Sequence, residues 1–410
     1  MKTFGYRKKL LTILLLLFLV ALGYGVILPV LPFFTERLAM GEGASQDSIT
    51  LQIGLLTSVY PFFQMVLAPF WGRWSDRRGR RTLLLMGLLG FILMQVLIGL
   101  VTSLWALYAA RIIGGIFTSA SIPVGYALIS DLTTGNRRDM GIALAGTTFS
   151  LGVVLGPFIG GVLSRTDLHW EADWGHFLIN DYSVPFLFLA GLGLVLVLPV
   201  WHWLGKEEDL QNEQAAKVEV SAVQWRVLFN RLFPYLLLSF VYQMVLTLFE
   251  TVFSIYSKDE LAYQPSAIGH GFMVCALVMA LLQPVAVSKK TKQLINRRNQ
   301  LVLGFALFGA GILLLLLVSS LPLVLLFIGL AATGAAFIAP NVTTLVSLEA
   351  GPDTGSALGL QKSTDGLGQV IGPIAGSWFF TIDTDLPYLL SGSIVIALAL
   401  LIAWRKGVAY

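Results

Sequence analysis

Residues 152–161 read GVVLGPFIGG and residues 368–376 read GQVIGPIAG, one pattern written twice in the chain. Pro157 and Pro373 stand 216 positions apart (373 − 157), and Pro123 and Pro340 stand 217 apart (340 − 123). The alternative is chance recurrence in a chain with 41 glycines and 16 prolines. Taken as a repeat, the offset divides 410 residues into two copies, and each pattern lies inside an apolar run of about 20 residues, the length that carries an α-helix across a bilayer.

Working outward from these two runs, apolar stretches broken by charges predict spans at 8–34, 49–71, 82–102, 104–130, 141–164 and 184–204. Six more follow at 232–256, 267–288, 300–318, 322–348, 357–380 and 387–404. The expected fold is an all-α membrane protein of twelve transmembrane helices in two pseudo-symmetric six-helix halves, 1–204 and 232–410, joined by a polar cytoplasmic linker at 205–231. The composition agrees: 56% of residues are hydrophobic and 12% charged, about half the charge of a soluble domain. The first apolar run follows Lys8 and Lys9 but continues to Phe34 without a small-residue cleavage pattern, and is read as retained.

With the N-terminus inside, 22 of the 27 Lys and Arg residues fall in cytoplasmic segments, while acids such as Asp47, Asp259, Glu260 and Asp383 are common outside. A bias in Lys and Arg alone is the positive-inside rule, and it places both termini in the cytoplasm. The net charge of +4 is then explained by loops beside an anionic leaflet, with no nucleic-acid partner. One cysteine, Cys275, and four scattered histidines provide neither a disulfide nor a metal site. No phosphate-binding loop of the form G-x-x-x-x-G-K-[ST] is present, and no nucleophile, base and orienting group are assembled, so neither ATP hydrolysis nor another enzymatic reaction is expected.

After the second span comes GRWSDRRGRR, in which Gly72, Asp76, Arg77, Gly79, Arg80 and Arg81 fill a defined spacing. A plain positive-inside cluster accounts for the arginines but not for the acid and the two glycines. This segment resembles the signature of the major facilitator superfamily. The resemblance implies two halves rocking about a central site, with Asp76 and Arg77 forming ion pairs that latch the cytoplasmic side. Arg111, inside LYAARIIGGIFTSA, lies at a membrane depth where a guanidinium is costly unless it faces a cavity or partner; snorkelling to the outer interface is the other reading. The stretch resembles the family's fourth-helix motif, which implies an influence on proton movement. Gly152, Gly156, Pro157, Gly160 and Gly161 resemble the motif of the exporting, antiporter branch. Physically, the glycines clear one helix face and the proline removes a backbone donor, which also suits ordinary small-residue packing. Gly23, Pro29 and Pro32 in GYGVILPVLPFF resemble a further pattern of the twelve-helix drug exporters.

The one acid clearly within an apolar span is Glu250. Helical spacing puts Gln243, Thr247, Glu250 and Ser254 on one stripe with Phe253 nearby, and such a stripe is expected to line water. A carboxylate there is expensive when ionised and unpaired, so it should hold a proton until a cation replaces it; a position near the outer interface is the bland alternative. The segment FETVFSIYSKDELAYQPSAI resembles the seventh helix and following loop of the quinolone and multidrug exporters of Gram-positive bacteria, with Glu250 at their functional glutamate. That group carries a second acid and an arginine in the tenth helix, where this chain has Ala336 and Ala339. Tyr126, Tyr242 and Asn341 are further candidates for the cavity wall. Asp131 and Asp365 are expected to be solvated or locally paired.

These features predict a monomeric, proton-driven antiporter of the bacterial cytoplasmic membrane that needs no cofactor and expels amphipathic, often cationic or zwitterionic drugs by alternating access. A dedicated exporter of one metabolite, such as a sugar or siderophore, or a lipid flippase would share the same fold.

Overall fold

In hydrocarbon no water answers a free amide, so an apolar chain must close its backbone hydrogen bonds within itself. The structure, a computed structural model, describes residues 2–41, 43–133, 136–164, 172–173, 178–204 and 225–404, and nearly all of them are helical. In chain order the helices are α1 Lys2–Gly41, α2 Gln46–Arg78, α3 Arg80–Leu100, α4 Leu104–Thr118, α5 Ser121–Leu132, α6 Asn136–Leu163 and α7 Val184–Trp203. They continue with α8 Trp225–Asp259, α9 Pro265–Ala286, α10 Lys289–Leu294, α11 Arg297–Leu314, α12 Leu321–Ala350, α13 Thr354–Ile382 and α14 Leu386–Trp404. A two-residue antiparallel pairing, β1 Ala172–Asp173 with β2 Leu178–Ile179, interrupts the segment between α6 and α7.

Among the described residues, 11 helical stretches are long and apolar enough to span a bilayer, α4 and α5 together counting as one. The twelfth span is α13, whose 29 residues are ample in length but include Gln361, Lys362 and Asp365.

Three boundaries depart from the sequence expectation for identifiable reasons. The signature segment after the second span is not a loop. α2 runs on through Arg78, and the chain turns only at Gly79, whose φ of 92° is open to glycine and strained for other residues. The fourth span is two helices, because Pro123 cannot donate to the Ser119 carbonyl one turn earlier. At the break the Ala120 amide instead bonds Phe117. Residues 225–231 of the expected linker already belong to α8, and the rest of that linker lies outside the described residues.

Two compact units result, Met1–Ser45 with Val59–Val218 and Gln264–Gly269, and Gln46–Ser58 with Glu219–Tyr263 and His270–Tyr410. Each therefore takes a short piece of the other expected half. In the second unit, Gly54 of α2 rests on the Pro373 carbonyl and Ser377, and Ser58 donates to the Val370 carbonyl at 2.7 Å. In the first, Gly161 of α6 rests on Pro265 and Ser266 at the start of α9.

Within the units the packing is repeated. In the first, α1 pairs with α6, and α3 with α4 and α7; in the second, α8 pairs with α13, and α11 with α12 and α14. The repeated pattern of the sequence explains the tightest of these pairs. A Cβ at Gly152 would lie 2.5 Å from the Phe18 carbonyl, one at Gly156 2.6 Å from that of Leu22, and one at Gly160 against that of Val26. In the second unit Gly368, Gly372 and Gly376 meet the carbonyls of Phe240, Met244 and Leu248. Glycines four apart thus sit on carbonyls four apart in both units, and the missing side chains allow backbone to touch backbone. A second repeat ties the starts of α3 and α11 to the ends of α7 and α14. Arg81 at the start of α3 donates to the Trp201 carbonyl of α7 at 2.6 Å. Arg298 at the start of α11 donates to the Ile402 and Ala403 carbonyls of α14 at 3.1 and 2.5 Å. Each guanidinium satisfies carbonyls that a helix C-terminus leaves orphaned.

This packing separates two kinds of glycine on one helix. Gly372→Ala should lower the melting temperature of the detergent-purified protein, consistent with an overpacking cost of about 1–3 kcal/mol. Gly355→Ala, where nothing lies within 4 Å of the added carbon, should leave stability equal or raise it by up to about 1 kcal/mol through helix propensity. Equal shifts for the two variants in a thermal unfolding series would contradict the backbone contact.

Candidate transport site

The first unit buries a cation. Arg111 of α4 is 3% exposed, so it does not snorkel to the surface. Its guanidinium lies 4.9 Å from the ring centre of Tyr60 of α2, within electrostatic reach of Tyr24 of α1. Tyr60 is held in place by its own hydroxyl, which is 2.7 Å from the Thr118 Oγ1 and accepts from Gln64 at 3.0 Å. Its ring centre is 6.4 Å from that of Tyr24. An aromatic face and a set of phenol oxygens thus offset part of the cost of a guanidinium removed from water.

The second unit holds carboxyl groups. Glu250, in the C-terminal part of α8, is half-buried, and its carboxylate makes no hydrogen bond or ion pair with a described residue. Tyr242 of the same helix and Cys275 of α9 lie within its electrostatic reach, and no cationic side chain does so among the described residues. The residues expected to share a water-lined stripe with it are placed differently. Thr247 is buried against α13 and donates to the Gly368 carbonyl at 3.2 Å. Ser254 is buried and donates to the Glu250 carbonyl at 3.1 Å. Phe253 stacks on Phe249 and meets Phe272 edge-on. Tyr242 packs on Phe308, and Asn341 is buried and donates to Gln300 at 2.8 Å. Only Gln243 and Glu250 of that set, and Tyr126 in the first unit, are half-exposed. The correction has a simple cause. The glycine face of α13 draws the Met244, Thr247 and Leu248 side of α8 into contact, so the open arc is narrower than helical spacing alone suggests.

A second carboxylate went unrecognised in the sequence. Asp365 of α13 is 8% exposed; it and Arg111 are the buried charged residues among those described. Its Oδ1 accepts from Ser239 of α8 at 2.6 Å, and its Oδ2 pairs with Lys362 at 3.2 Å. Gln361 in turn donates to Ser239 and to Thr343 of α12, at 3.0 Å each, so the cluster ties three helices together. The legible signal is an acid four residues from a glutamine inside an expected span; the expected local pairing is present, and the burial is what the expectation leaves out.

On the signature segment, Arg80 bonds Asp131 of α5 at 2.8 Å and Ser75 at 2.7 Å, so Asp131 is locally paired, as expected. Arg81 lies over the Trp201 ring at 4.7 Å. Gly72, Asp76 and Arg77 fall on α2, and the placement of the Asp76 and Arg77 side chains lies outside the described residues. In the antiporter motif, Gly152, Gly156 and Gly160 face α1, and Pro157 lies against Gly25. In the second unit, where the N-terminus of α2 meets the C-termini of α8 and α13, a cleft of 430 Å³ is lined by Asp47, Asp259, Glu260 and Asp383 among others. No group of three or more metal-ligating side chains is assembled among the described residues.

The chain as a whole is similar to known proteins. The family model described as Major Facilitator Superfamily matches residues 13–289 and 236–408. Multidrug resistance protein 1 of Bacillus subtilis (strain 168) is 28% identical over 406 residues, covering 97% of each chain. Tetracycline resistance protein, class E, of Escherichia coli is 28% identical over 383 residues, covering 92% of this chain and 88% of its own. Quinolone resistance protein NorA of Staphylococcus aureus is 23% identical over 405 residues, covering 98% and 97%. Among solved structures, a bacterial homologue of the human lysosomal transporter Spinster, inward-facing and occupied, aligns with a TM-score of 0.74 at 15% identity over 98% of each chain. The human organic anion transporter MFSD10 aligns with a TM-score of 0.67 at 21% identity, over 97% of this chain and 99% of its own. Sequence and fold agree, and the chain belongs to the Major Facilitator Superfamily, as a multi-pass membrane transporter and not an enzyme.

Proposed function

We propose that this transporter is a proton-coupled multidrug antiporter of the bacterial cytoplasmic membrane, with both termini inside, that exports amphipathic, often cationic or zwitterionic drugs. The observation that carries the reading is Glu250: a half-buried carboxylate on a membrane helix, with no cation or hydrogen-bond donor among the described residues to hold its charge. Such a group is neutralised either by a proton or by a positively charged guest, and one site that accepts either but not both exchanges them. The relatives named for multidrug, tetracycline and quinolone resistance supply the cargo class. Aromatic side chains around α8 give apolar contacts of low directional demand, which suit many shapes, while the single charge selects the sign.

Arg111, fixed on its tyrosine face in the other unit, serves as the permanent positive counterweight that makes proton occupancy depend on conformation. Arg80, Arg81, Asp76 and Arg77 form the inner latch, and the glycine and proline motif of α6 is the pivot along which α1 slides. The halves 1–204 and 232–410 move as the rocking bodies, the segment 205–231 tethers them, the protein works as a monomer, and the proton gradient replaces any cofactor.

In cells or proteoliposomes, efflux of ethidium or norfloxacin should collapse on adding an uncoupler and should fall at least tenfold in Glu250→Gln; parental efflux by that variant would remove Glu250 from the exchange. Asp76→Asn should slow turnover several-fold while substrate affinity, measured by equilibrium binding to the purified protein, changes less than twofold. A large loss of affinity would contradict a latch.

A further inference from the structure

The network at the inner end of α13 has no task in the exchange so far described. A buried carboxylate in a membrane protein is costly and is retained where it does something. Asp365 is enclosed on one side and open on the other. Its Oδ1 faces inward to Ser239, and its Oδ2 faces Lys362, whose side chain is 82% exposed. The carboxyl thus stands at the border between the protein interior and the inner aqueous face.

Ser239 is arranged to pass a proton. It accepts from the Gln361 amide, which has no acceptor capacity on nitrogen, and so must direct its own hydroxyl hydrogen at Asp365. On the same helix, Tyr242 lies one turn outward from Ser239, within electrostatic reach of both Asp365 and Glu250. Ser239 and Glu250 are 11 residues apart on α8, about 16 Å at the helical rise, which is beyond a direct hop and within the reach of a few hydrogen-bonded steps beside the half-exposed Gln243.

We propose that Asp365 is the second proton-carrying residue of this transporter, the inner station from which protons taken up at Glu250 leave to the cytoplasm. The inference rests on the reading of Glu250 as the exchange site. One proton leaves the Glu250 carboxyl and one is taken up by the Asp365 carboxylate through Ser239 and intervening water. That proton then passes to bulk water on the inner side, with no change of oxidation state. Of the charged or titratable groups on α8, which are Arg226, Arg231, Tyr235, Tyr242, Glu250, Tyr256, Lys258 and Asp259, Tyr242 lies within electrostatic reach of Asp365 and Arg231 is engaged by Glu349 of α12 at 2.7 Å; α13 itself offers Lys362. The turn Gly351–Asp353 carries Asp353 three helical turns away, and α14 offers Tyr388 at its opposite end.

The test uses purified protein in proteoliposomes, comparing transport driven by an imposed pH gradient with gradient-free exchange of labelled substrate. In Asp365→Asn the ratio of driven transport to exchange should fall at least tenfold, with partial recovery in Asp365→Glu. A structural cross-link alone would lower both activities together and leave the ratio at the parental value, which would overturn the inference. Lys362→Met gives a second readout that does not depend on removing the acid. Loss of the neighbouring ammonium should move the internal pH giving half-maximal driven transport by about 0.5 or more. An unmoved pH profile would count against Asp365 as a proton station. The two readings fail separately. Loss of coupling in Glu250→Gln with a parental ratio in Asp365→Asn sinks only the inner station, and parental coupling in Glu250→Gln sinks the exchange site itself.

Discussion

Two helices in a bilayer approach closely only where side chains are missing, and this condition organises the protein. Gly152, Gly156 and Gly160 lay one face of α6 on the carbonyls of α1, and Gly368, Gly372 and Gly376 lay α13 on those of α8. Lipid offers helices no hydrophobic reason to associate, so contact of this kind carries the association. Pro157 and Pro373 follow the middle glycine of each set. A proline leaves one carbonyl without its intrahelical donor, which makes each of these helices locally easier to bend at the place where it touches its neighbour. Close contact and compliance are thus built at one point in each unit, and the same short sequence pattern specifies both.

Charge is distributed unequally over this repeated frame. The first unit buries Arg111 and answers it with the ring of Tyr60 and the hydroxyl bonds that hold that ring still. The second buries Asp365 and answers it with Ser239 and Lys362. Glu250 makes no hydrogen bond or ion pair with a described residue, on a helix otherwise drawn tightly into α13. An interaction already satisfied resists a change of partner, because breaking it exposes the full desolvation cost of the group left behind. A carboxylate that is half-exposed and uncommitted changes partners at little cost, which is why the proposed exchange is assigned to Glu250 and not to the better-bonded acid.

The spans were legible because a twenty-residue apolar run has few alternatives, and the repeat was legible because glycine and proline do work that no other residue does. What escaped the sequence was orientation. Thr247 and Ser254 flank Glu250 at helical spacing, yet both are buried, Thr247 by the contact of α8 with α13, which depends on glycines more than a hundred residues away. The turn at Gly79 was read as the middle of a loop because arginines and an aspartate surround it. The backbone shows that Arg73, Asp76, Arg77 and Arg78 extend α2, that Arg80 and Arg81 begin α3, and that Gly79 makes the turn between them. Asp365 is expected from the sequence to be solvated or locally paired, and its pairing with Lys362 is present. Local pairing and burial proved compatible, since the ammonium reaches only the oxygen that faces outward.

The position of the second acid follows from the packing of α12. Ala336, where the resembling exporters carry a carboxylate, is fully buried. Nearby, Gly334 abuts the Gly304 carbonyl and Phe308, and Gly311 abuts Ala331, so α11 and α12 touch backbone to backbone over two turns. A carboxylate placed at 336 beside that contact would need room and a partner that the interface does not hold, at a cost of several kcal/mol for an uncompensated charge. On α13 the requirement is met: Ser239, itself held by Gln361, donates to one carboxylate oxygen, and Lys362 pairs with the other. Tight glycine packing between α11 and α12 and a buried acid on α13 are therefore two sides of one arrangement, in which the helix that gives up its acid gains a neighbour and the helix that gains it supplies the hydrogen bonds.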